Sequence, residues 1–191
     1  MVSDATIFLI QTATGLFTVA FLLRFYLQWV RAPYRNPLSE FLGALTDFIV
    51  RPARRVIPGL WGFDLATLVL AWAAQLLDLA AVLWVKGYQP GAAAGTAFSG
   101  ILLLSAVMLV KFGLYIVMVA VLIQAVLSWV NPHTPLAPLL HSMTRPFLRI
   151  FQRLIPPVGN VDLSPLFVIV LCQLLLMVPV AYVETMLSRL L

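Results

Sequence analysis

Two similar stretches decide the fold: RVIPGLWGFDLAT at residues 55–67 and RLIPPVGNVDLSP at residues 153–165. Each places an arginine two residues before an Ile-Pro pair, and an aspartate six residues after that proline precedes an apolar segment. Proline and glycine interrupt a helix, and a carboxylate that follows them can accept hydrogen bonds from the free N–H groups of the next helix. We therefore predict that Asp64 and Asp162 cap two helices where the chain re-enters a membrane.

The similarity extends beyond these stretches and indicates an internal duplication. An offset of 100 residues aligns Trp29-Val30 with Trp129-Val130, and an offset of 98 aligns the residues that follow without a gap. The residues matched at the second offset are Pro37, Leu38, Thr46, Arg51, Arg55, Ile57, Pro58, Asp64, Leu65 and Gln75, which fall on Pro135, Leu136, Thr144, Arg149, Arg153, Ile155, Pro156, Asp162, Leu163 and Gln173. The sequence therefore predicts two tandem repeats, residues 1–90 and 91–191, each a helix, a polar loop and a second helix.

The composition is that of an all-α integral membrane protein. The chain has 191 residues, 62% of them hydrophobic and 10% charged, whereas soluble domains have about 25% charged residues. Apolar segments long enough to cross a bilayer as helices occupy residues 5–30, 64–85, 91–130 and 163–187. We expect about four transmembrane helices, although two crossings by 91–130 would give five. A single crossing would leave part of 91–110 on, or dipping into, the outer leaflet.

The two loops, residues 31–63 and 131–161, carry eight of the twelve basic residues. The positive-inside rule places both loops in the cytoplasm, with both termini on the other side of the membrane. Because both loops then face the same compartment, the two repeats are predicted to be parallel. Inverted repeats are common among secondary transporters, so this arrangement weakens a transporter interpretation without excluding it.

Each loop is predicted to contain an amphipathic helix that lies in the membrane interface. Apolar residues recur at helical spacing between residues 38 and 49 and between 136 and 154. The candidate residues for contact with anionic lipid headgroups or with a partner protein are the loop arginines Arg51, Arg54, Arg55, Arg145, Arg149 and Arg153. A solvated anchoring helix is the simpler interpretation of the same pattern. The partners we expect are membrane lipids and a membrane-protein partner or a second copy of the chain, and not nucleic acid.

Several polar residues lie within the predicted membrane helices. Gln75 and Gln173 occupy equivalent positions, and we expect them to hydrogen-bond across the interface of the repeats, with a pore lining as the alternative. Asp78 and Lys111 are estimated by helix rise at roughly 21 Å and 28 Å from the loop side. We expect these two charges to form an ion pair, with an interfacial lysine or a proton or ion path as alternatives. Arg24 is expected to extend its side chain to the headgroups.

No motif of a known enzyme class is present, so we predict no catalytic residue, no metal site and no cofactor. The chain has no Cys-x-x-Cys, no His-Glu-x-x-His, no Gly-x-Ser-x-Gly and no phosphate-binding loop. His133 and His141 lie in the second loop without a carboxylate there to orient them, which is typical of ordinary interface histidines.

The duplicated pattern resembles the YggT family of small integral membrane proteins over nearly the whole chain. The second loop carries the resemblance in Ser128-Trp129, Arg145-Pro146, Leu154-Ile155-Pro156-Pro157 and Asp162-Leu163-Ser164-Pro165. The first loop departs from it, with Pro58-Gly59 in place of Pro-Pro and Ala66-Thr67 in place of Ser-Pro. The resemblance implies roles in osmotic or ion homeostasis, in envelope or cell-division functions, or in cytochrome assembly in plastid relatives. It implies no catalytic residue.

Two hypotheses about function follow. The first is a non-catalytic scaffold or an assembly or homeostasis factor that binds lipid or a partner protein through its loop helices. The second is a channel or transporter in ion or osmotic homeostasis, which Asp78, Lys111 and the two glutamines would favour. A membrane enzyme is the third and weakest alternative.

Overall fold

The computed structural model describes residues 2–33, 36–59, 62–88, 94–131, 134–154 and 162–189, and its regular structure there is helical. His133 and residues 155–157 of the repeated motif lie outside the described residues. The elements are α1 (Val2–Trp29), α2 (Pro37–Val56), α3 (Leu65–Val85), α4 (Ala94–Val130), α5 (Ala137–Leu154), α6 (Ser164–Leu175), a π-helical turn (Leu176–Val180) and α7 (Ala181–Ser188).

Four helical segments are long and apolar enough to cross a membrane: Val2–Trp29, Leu65–Val85, Ala97–Val130 and Ser164–Ser188. The prediction of four transmembrane helices in two repeats is therefore confirmed. Within the described part of residues 91–110 the chain is helical and continuous with the rest of α4, which runs from Ala94 to Val130 as one helix of 37 residues. Such a helix is about 55 Å long, so it must tilt or extend beyond a ~30 Å hydrocarbon layer.

The two repeats are parallel, with α2 and α5 at the same end of the bundle, which we call the loop end. The Tyr26 hydroxyl near the end of α1 donates a hydrogen bond to the Met143 carbonyl of α5. The end of α1 therefore lies beside the helix that follows the end of α4. Helix α1 packs on α3, and α4 packs on α3, α5 and α6, so α4 joins the two repeats.

Local sequence explains where the loop helices begin and how they dock. The Asn36 side chain accepts a hydrogen bond from Ser39 N at 2.8 Å, and Pro37 occupies the first helical position of α2, where its missing N–H costs little. Apolar side chains of both loop helices, Leu42 of α2 with Leu139 and Met143 of α5, are buried in one cluster with Val121 of α4. Burial of these side chains holds α2 and α5 against the bundle.

The last membrane helix contains an irregular turn. Pro179 lacks the N–H that an α-helix needs, and the five residues around it, Leu176–Val180, form a π-helical turn. A π-turn inserts one residue, which rotates the following helix by about 100° relative to an uninterrupted one. The face of α7 that meets α4 is therefore not the one that the sequence pattern of α6 would extend.

Candidate functional site

A partly buried ion pair fastens α2 to the end of α1. Arg24 Nη1 lies 2.7 Å from Asp47 Oδ1 and 2.7 Å from the hydroxyl oxygen of Thr46, and the Arg24 side chain is only 13% exposed. The other oxygen of Asp47 accepts from Arg51 Nη2 at 2.6 Å. The prediction that Arg24 extends to the headgroups is wrong, because the intervening α2 supplies a carboxylate at closer range.

The second repeat makes the same contact without charge. Position 124 of α4 corresponds to Arg24 and carries glutamine, and position 144 of α5 corresponds to Thr46. The Thr144 hydroxyl donates a hydrogen bond to the Gln124 side-chain oxygen. Each loop helix is thus clamped to its preceding membrane helix at the same depth, by an ion pair in one repeat and by neutral groups in the other.

The aspartates of the opening motif each join the end of a loop helix to the start of a membrane helix. Asp64 Oδ1 accepts from Thr67 N at 3.4 Å, and its Oδ2 accepts from Arg54 Nε at 3.1 Å. The pattern recurs in the second repeat: Asp162 Oδ1 accepts from Ser164 N at 2.8 Å, and Oδ2 accepts from Gln152 Nε2 at 2.9 Å. Glutamine at position 152 replaces the arginine at position 54.

The Asp162 carboxyl is held in its charged form by these bonds. Partial burial raises its pKa, but the hydrogen bonds from Ser164 and Gln152 outweigh burial and hold the pKa below its ordinary value. An N–H group at a helix start favours the anion in this way. Asp162 lies one residue before the N-cap Leu163 of α6 and accepts from the first helical residue, Ser164, whereas Asp64 is itself the N-cap of α3. Gln152 positions the Asp162 carboxylate.

The six loop arginines divide into two groups by their partners. In the first repeat, Arg51 pairs with Asp47 and Arg54 pairs with Asp64, while Arg55 is exposed. In the second repeat, Arg145, Arg149 and Arg153 are all exposed, and none meets a carboxylate within the described part of the chain. Helix α5 contains no acidic residue, and Arg145 occupies the position that corresponds to Asp47. The second loop helix therefore carries uncompensated positive charge.

Two polar pairs lie in the seam between α1 and α3. The Thr14 hydroxyl donates to Asp78 Oδ1 at 2.6 Å, and Gln75 Nε2 donates to the Thr18 hydroxyl oxygen at 3.0 Å. The predicted hydrogen bond between Gln75 and Gln173 is wrong, since Gln173 is exposed on α6. The second repeat has Met118 at the position of Thr18, so no hydroxyl is available to hold a glutamine inside.

Lys111 forms an ion pair, but not with Asp78. Its Nζ lies 2.8 Å from Glu184 Oε2 of α7. The predicted Asp78–Lys111 pair is therefore wrong, because Asp78 is turned toward α1 and takes its hydrogen bond from a threonine there. Glu184 supplies the carboxylate.

An apolar layer separates the α1–α3 polar pairs from the loop end. Phe21 and Leu22 of α1, Val50 of α2 and Ala71 of α3 form a buried cluster, each 7% exposed or less. On α1 these residues lie between Thr18 and Arg24. Polar groups on the two sides of the layer are thus not continuous along this seam.

Sequence reasoning missed several residues that form these contacts or end these helices, among them Asp47, Thr14, Glu184 and Arg31. Asp47 could have been found, because it lies four residues before Arg51 on the same face of a helix. Arg31 is the described non-glycine residue with positive φ, at 51°, and the Ala32 N–H bonds to the Leu27 carbonyl at 2.9 Å to close the helix end. Glycine usually occupies this position, and another residue there costs about 1 kcal/mol. No group of three His, Cys, Asp or Glu side chains that could hold a metal occurs among the described residues.

Comparison with known proteins gives a consistent family. The sequence model of the CCB3/YggT family matches the chain twice, over residues 3–85 and 101–183. The chain is 36% identical over 175 residues to the uncharacterized protein PA0392 of Pseudomonas aeruginosa, covering 91% of this chain and 87% of the relative. It is 33% identical over 165 residues to the uncharacterized protein YggT of Escherichia coli, covering 86% and 83% of the two chains. No solved structure matches the chain.

Proposed function

The chain belongs to the CCB3/YggT family, and from that premise we propose that it is a non-catalytic protein of the bacterial inner membrane. It acts as a scaffold, or as an assembly or homeostasis factor, through the arginine-bearing helices α2 and α5. These helices lie at the cytoplasmic membrane surface, where they bind lipid headgroups or a partner protein.

The observation that carries the proposal is the way the two helices are docked. Polar contacts inside the loop end, Arg24 with Asp47 and Gln124 with Thr144, fix α2 and α5 against α1 and α4. The exposed arginines Arg55, Arg149 and Arg153 are left on the outside. Guanidinium groups recognise phosphates and carboxylates through paired hydrogen bonds, so a rigid helix that presents them suits a headgroup or an acidic protein surface.

The charge of the loops supports the assignment to the cytoplasmic face. Loop arginines account for eight of the twelve basic residues, and the parallel repeats bring both loops to one end. Positive loops remain on the cytoplasmic side during insertion, and anionic lipids of that leaflet attract them.

Photo-crosslinking in native membranes tests the proposal. A photoreactive residue in place of Arg55 or Arg153 should give discrete adducts with a protein or an anionic lipid. Phe98, an exposed residue near the opposite end of α4, is the matched control and should not give the same adducts. Identical adduct patterns at all three positions, or none at Arg55 and Arg153, would contradict a specific interface at the loop end.

A channel or transporter in ion or osmotic homeostasis is the second candidate function. The Thr14–Asp78 and Thr18–Gln75 pairs favour it, because a carboxylate inside a membrane helix is a common feature of ion and proton paths. Flux in liposomes separates the candidates: a transporter loses flux on Asp78→Asn with the fold intact, whereas a scaffold gives no flux with either protein.

A further inference from the structure

The loop end contains a basic cavity that both repeats build. It has a volume of about 490 Å³ and lies between the end of α1 and the outer face of α5. Its polar lining comes from Arg31 of the first repeat and from His141, Ser142, Arg145 and Arg149 of the second. The hydrogen bond from Tyr26 to the Met143 carbonyl fastens these two walls together.

We infer that this cavity binds a phosphate group, carried by an anionic lipid headgroup or by a soluble phosphate. This inference rests on the proposed function, which assigns headgroup or partner binding to the loop arginines. It places phosphate binding in this one cavity. Arg55, Arg51 and Arg54 lie outside this cavity.

The first support is uncompensated charge. Arg31, Arg145 and Arg149 form no ion pair with any carboxylate in the described ranges. The first repeat provides an internal comparison, because there Asp47 occupies the position of Arg145 and pairs with both Arg24 and Arg51. Three guanidinium groups around one cavity repel each other until an anion enters, and phosphate oxygens match their paired N–H groups.

The second support is the backbone of Arg31. Its φ of 51° lies in the left-handed region, and the hydrogen bonds from Arg31 N to Gln28 O at 3.1 Å and from Ala32 N to Leu27 O at 2.9 Å end α1 there. A glycine would take this conformation without strain. An arginine held there instead brings its guanidinium to the cavity, so the strain falls on a residue that the site uses.

Arg31→Gly separates binding from stability in one variant. Glycine relieves the positive φ, so the purified protein should be at least as stable as the parent. Loss of a charged hydrogen-bond donor should weaken phosphate binding about tenfold or more. A residue with only a structural role would show the reverse, lower stability and unchanged binding.

The matched series is Arg31→Gly, Arg145→Gln and Arg149→Gln, with Arg189→Gln as the control that removes one exposed charge at the other end of the bundle. Each protein is titrated in neutral detergent with phosphatidic acid, with phosphatidylcholine as the zwitterionic comparison, by native mass spectrometry. Calorimetry with inorganic phosphate forms the second arm. Thermal unfolding confirms that each variant is folded.

The expected result is that the three cavity variants weaken binding about tenfold or more and that Arg189→Gln changes it less than about twofold. Binding of phosphatidic acid alone identifies a lipid headgroup, and binding of inorganic phosphate as well identifies a soluble ligand. Both support the site. Equal small losses of binding affinity in all four variants, or no binding by the parent protein, would overturn the proposed phosphate site. The crosslinking at Arg55 and Arg153 decides the proposed function separately.

Discussion

Asp64 is held by Arg54, and this contact joins the end of α2 to the first turn of α3. Arg54 Nε lies 3.1 Å from Asp64 Oδ2, and the Asp64 side chain is only 5% exposed. The second repeat replaces Arg54 with Gln152 and keeps the contact to Asp162 at 2.9 Å. The duplication has thus preserved the geometry of the joint while changing its charge.

Removal of Arg54 should destabilise the protein. Arg54→Ala leaves the Asp64 carboxylate buried without its cation, and we expect a loss of about 1–3 kcal/mol in the free energy of unfolding. Arg54→Gln should lose less, because glutamine makes the equivalent contact in the second repeat. Reversible unfolding in mixed micelles measures both, with Arg55→Ala as the exposed control. Equal losses for Arg54→Ala and Arg55→Ala would refute the joint.

Asp162 should be needed for the start of α6 and not for chemistry. Asp162→Asn keeps an oxygen that accepts from Ser164 N and should be tolerated. Asp162→Leu removes the acceptor and should cost about 1 kcal/mol, with a lower yield of folded protein. Folded yield and an activity assay in cells are compared for both variants. If Asp162→Asn abolishes activity at normal protein levels, the carboxylate has a role beyond capping.

Lys111 should be coupled to Glu184 and not to Asp78. Each single neutralisation, Lys111→Gln or Glu184→Gln, leaves a charge without its partner 2.8 Å away and should destabilise the bundle. The double variant should recover about 1 kcal/mol or more, whereas Asp78→Asn and Lys111→Gln should be additive. Two double-mutant cycles on unfolding free energy measure this. Coupling of Lys111 to Asp78 instead would require a different rotation of α3.

Asp47 should make stability depend on acidity. The hydrogen bond from Arg24, and then that from Arg51, hold the pKa of the Asp47 carboxyl below its ordinary value of 3.8. A carboxyl whose pKa is lower in the folded state stabilises the protein above its unfolded pKa, and this contribution disappears as the pH falls through the folded pKa. The free energy of unfolding is measured at decreasing pH, through the unperturbed aspartate pKa of ~3.9. It should fall more steeply for the parent than for Asp47→Asn. Parallel curves would show that the clamp does not titrate.

The sequence was sufficient for the architecture because the signals involved are local or repetitive. The apolar segments predict the membrane helices, the offsets of 98 and 100 residues reveal the repeats, and the aspartates precede the helices whose N–H groups they accept from. Each of these properties depends on residues close together along the chain.

The pairing of Asp78 and Lys111 could not be predicted because it depends on helix rotation. Depth along a helix was estimated from rise alone, which does not say which face meets which neighbour. Asp78 faces α1, and Lys111 faces α7. The π-turn before α7 rotates Glu184 relative to the helical pattern of α6. Without that turn the Glu184 side chain would point in another direction.

The predicted Gln75–Gln173 hydrogen bond is wrong because equivalent positions in the two repeats do not have equivalent neighbours. Gln75 is held by Thr18, whereas the equivalent position in the second repeat is Met118 and Gln173 is exposed. Partner identity, not the glutamine itself, decides whether such a residue turns inward.

The proposed function requires the loop end to face the cytoplasm, and cysteine accessibility in intact cells measures this orientation most directly. Single cysteines at Arg55, Arg153 and Lys86 are introduced into a Cys172→Ala background. Lys86 follows α3 at the opposite end of the bundle and is exposed, so it serves as the positive control. We expect an impermeant thiol reagent to label Lys86→Cys in intact cells and to label Arg55→Cys and Arg153→Cys only after permeabilisation. Labelling of either arginine position in intact cells would contradict this orientation.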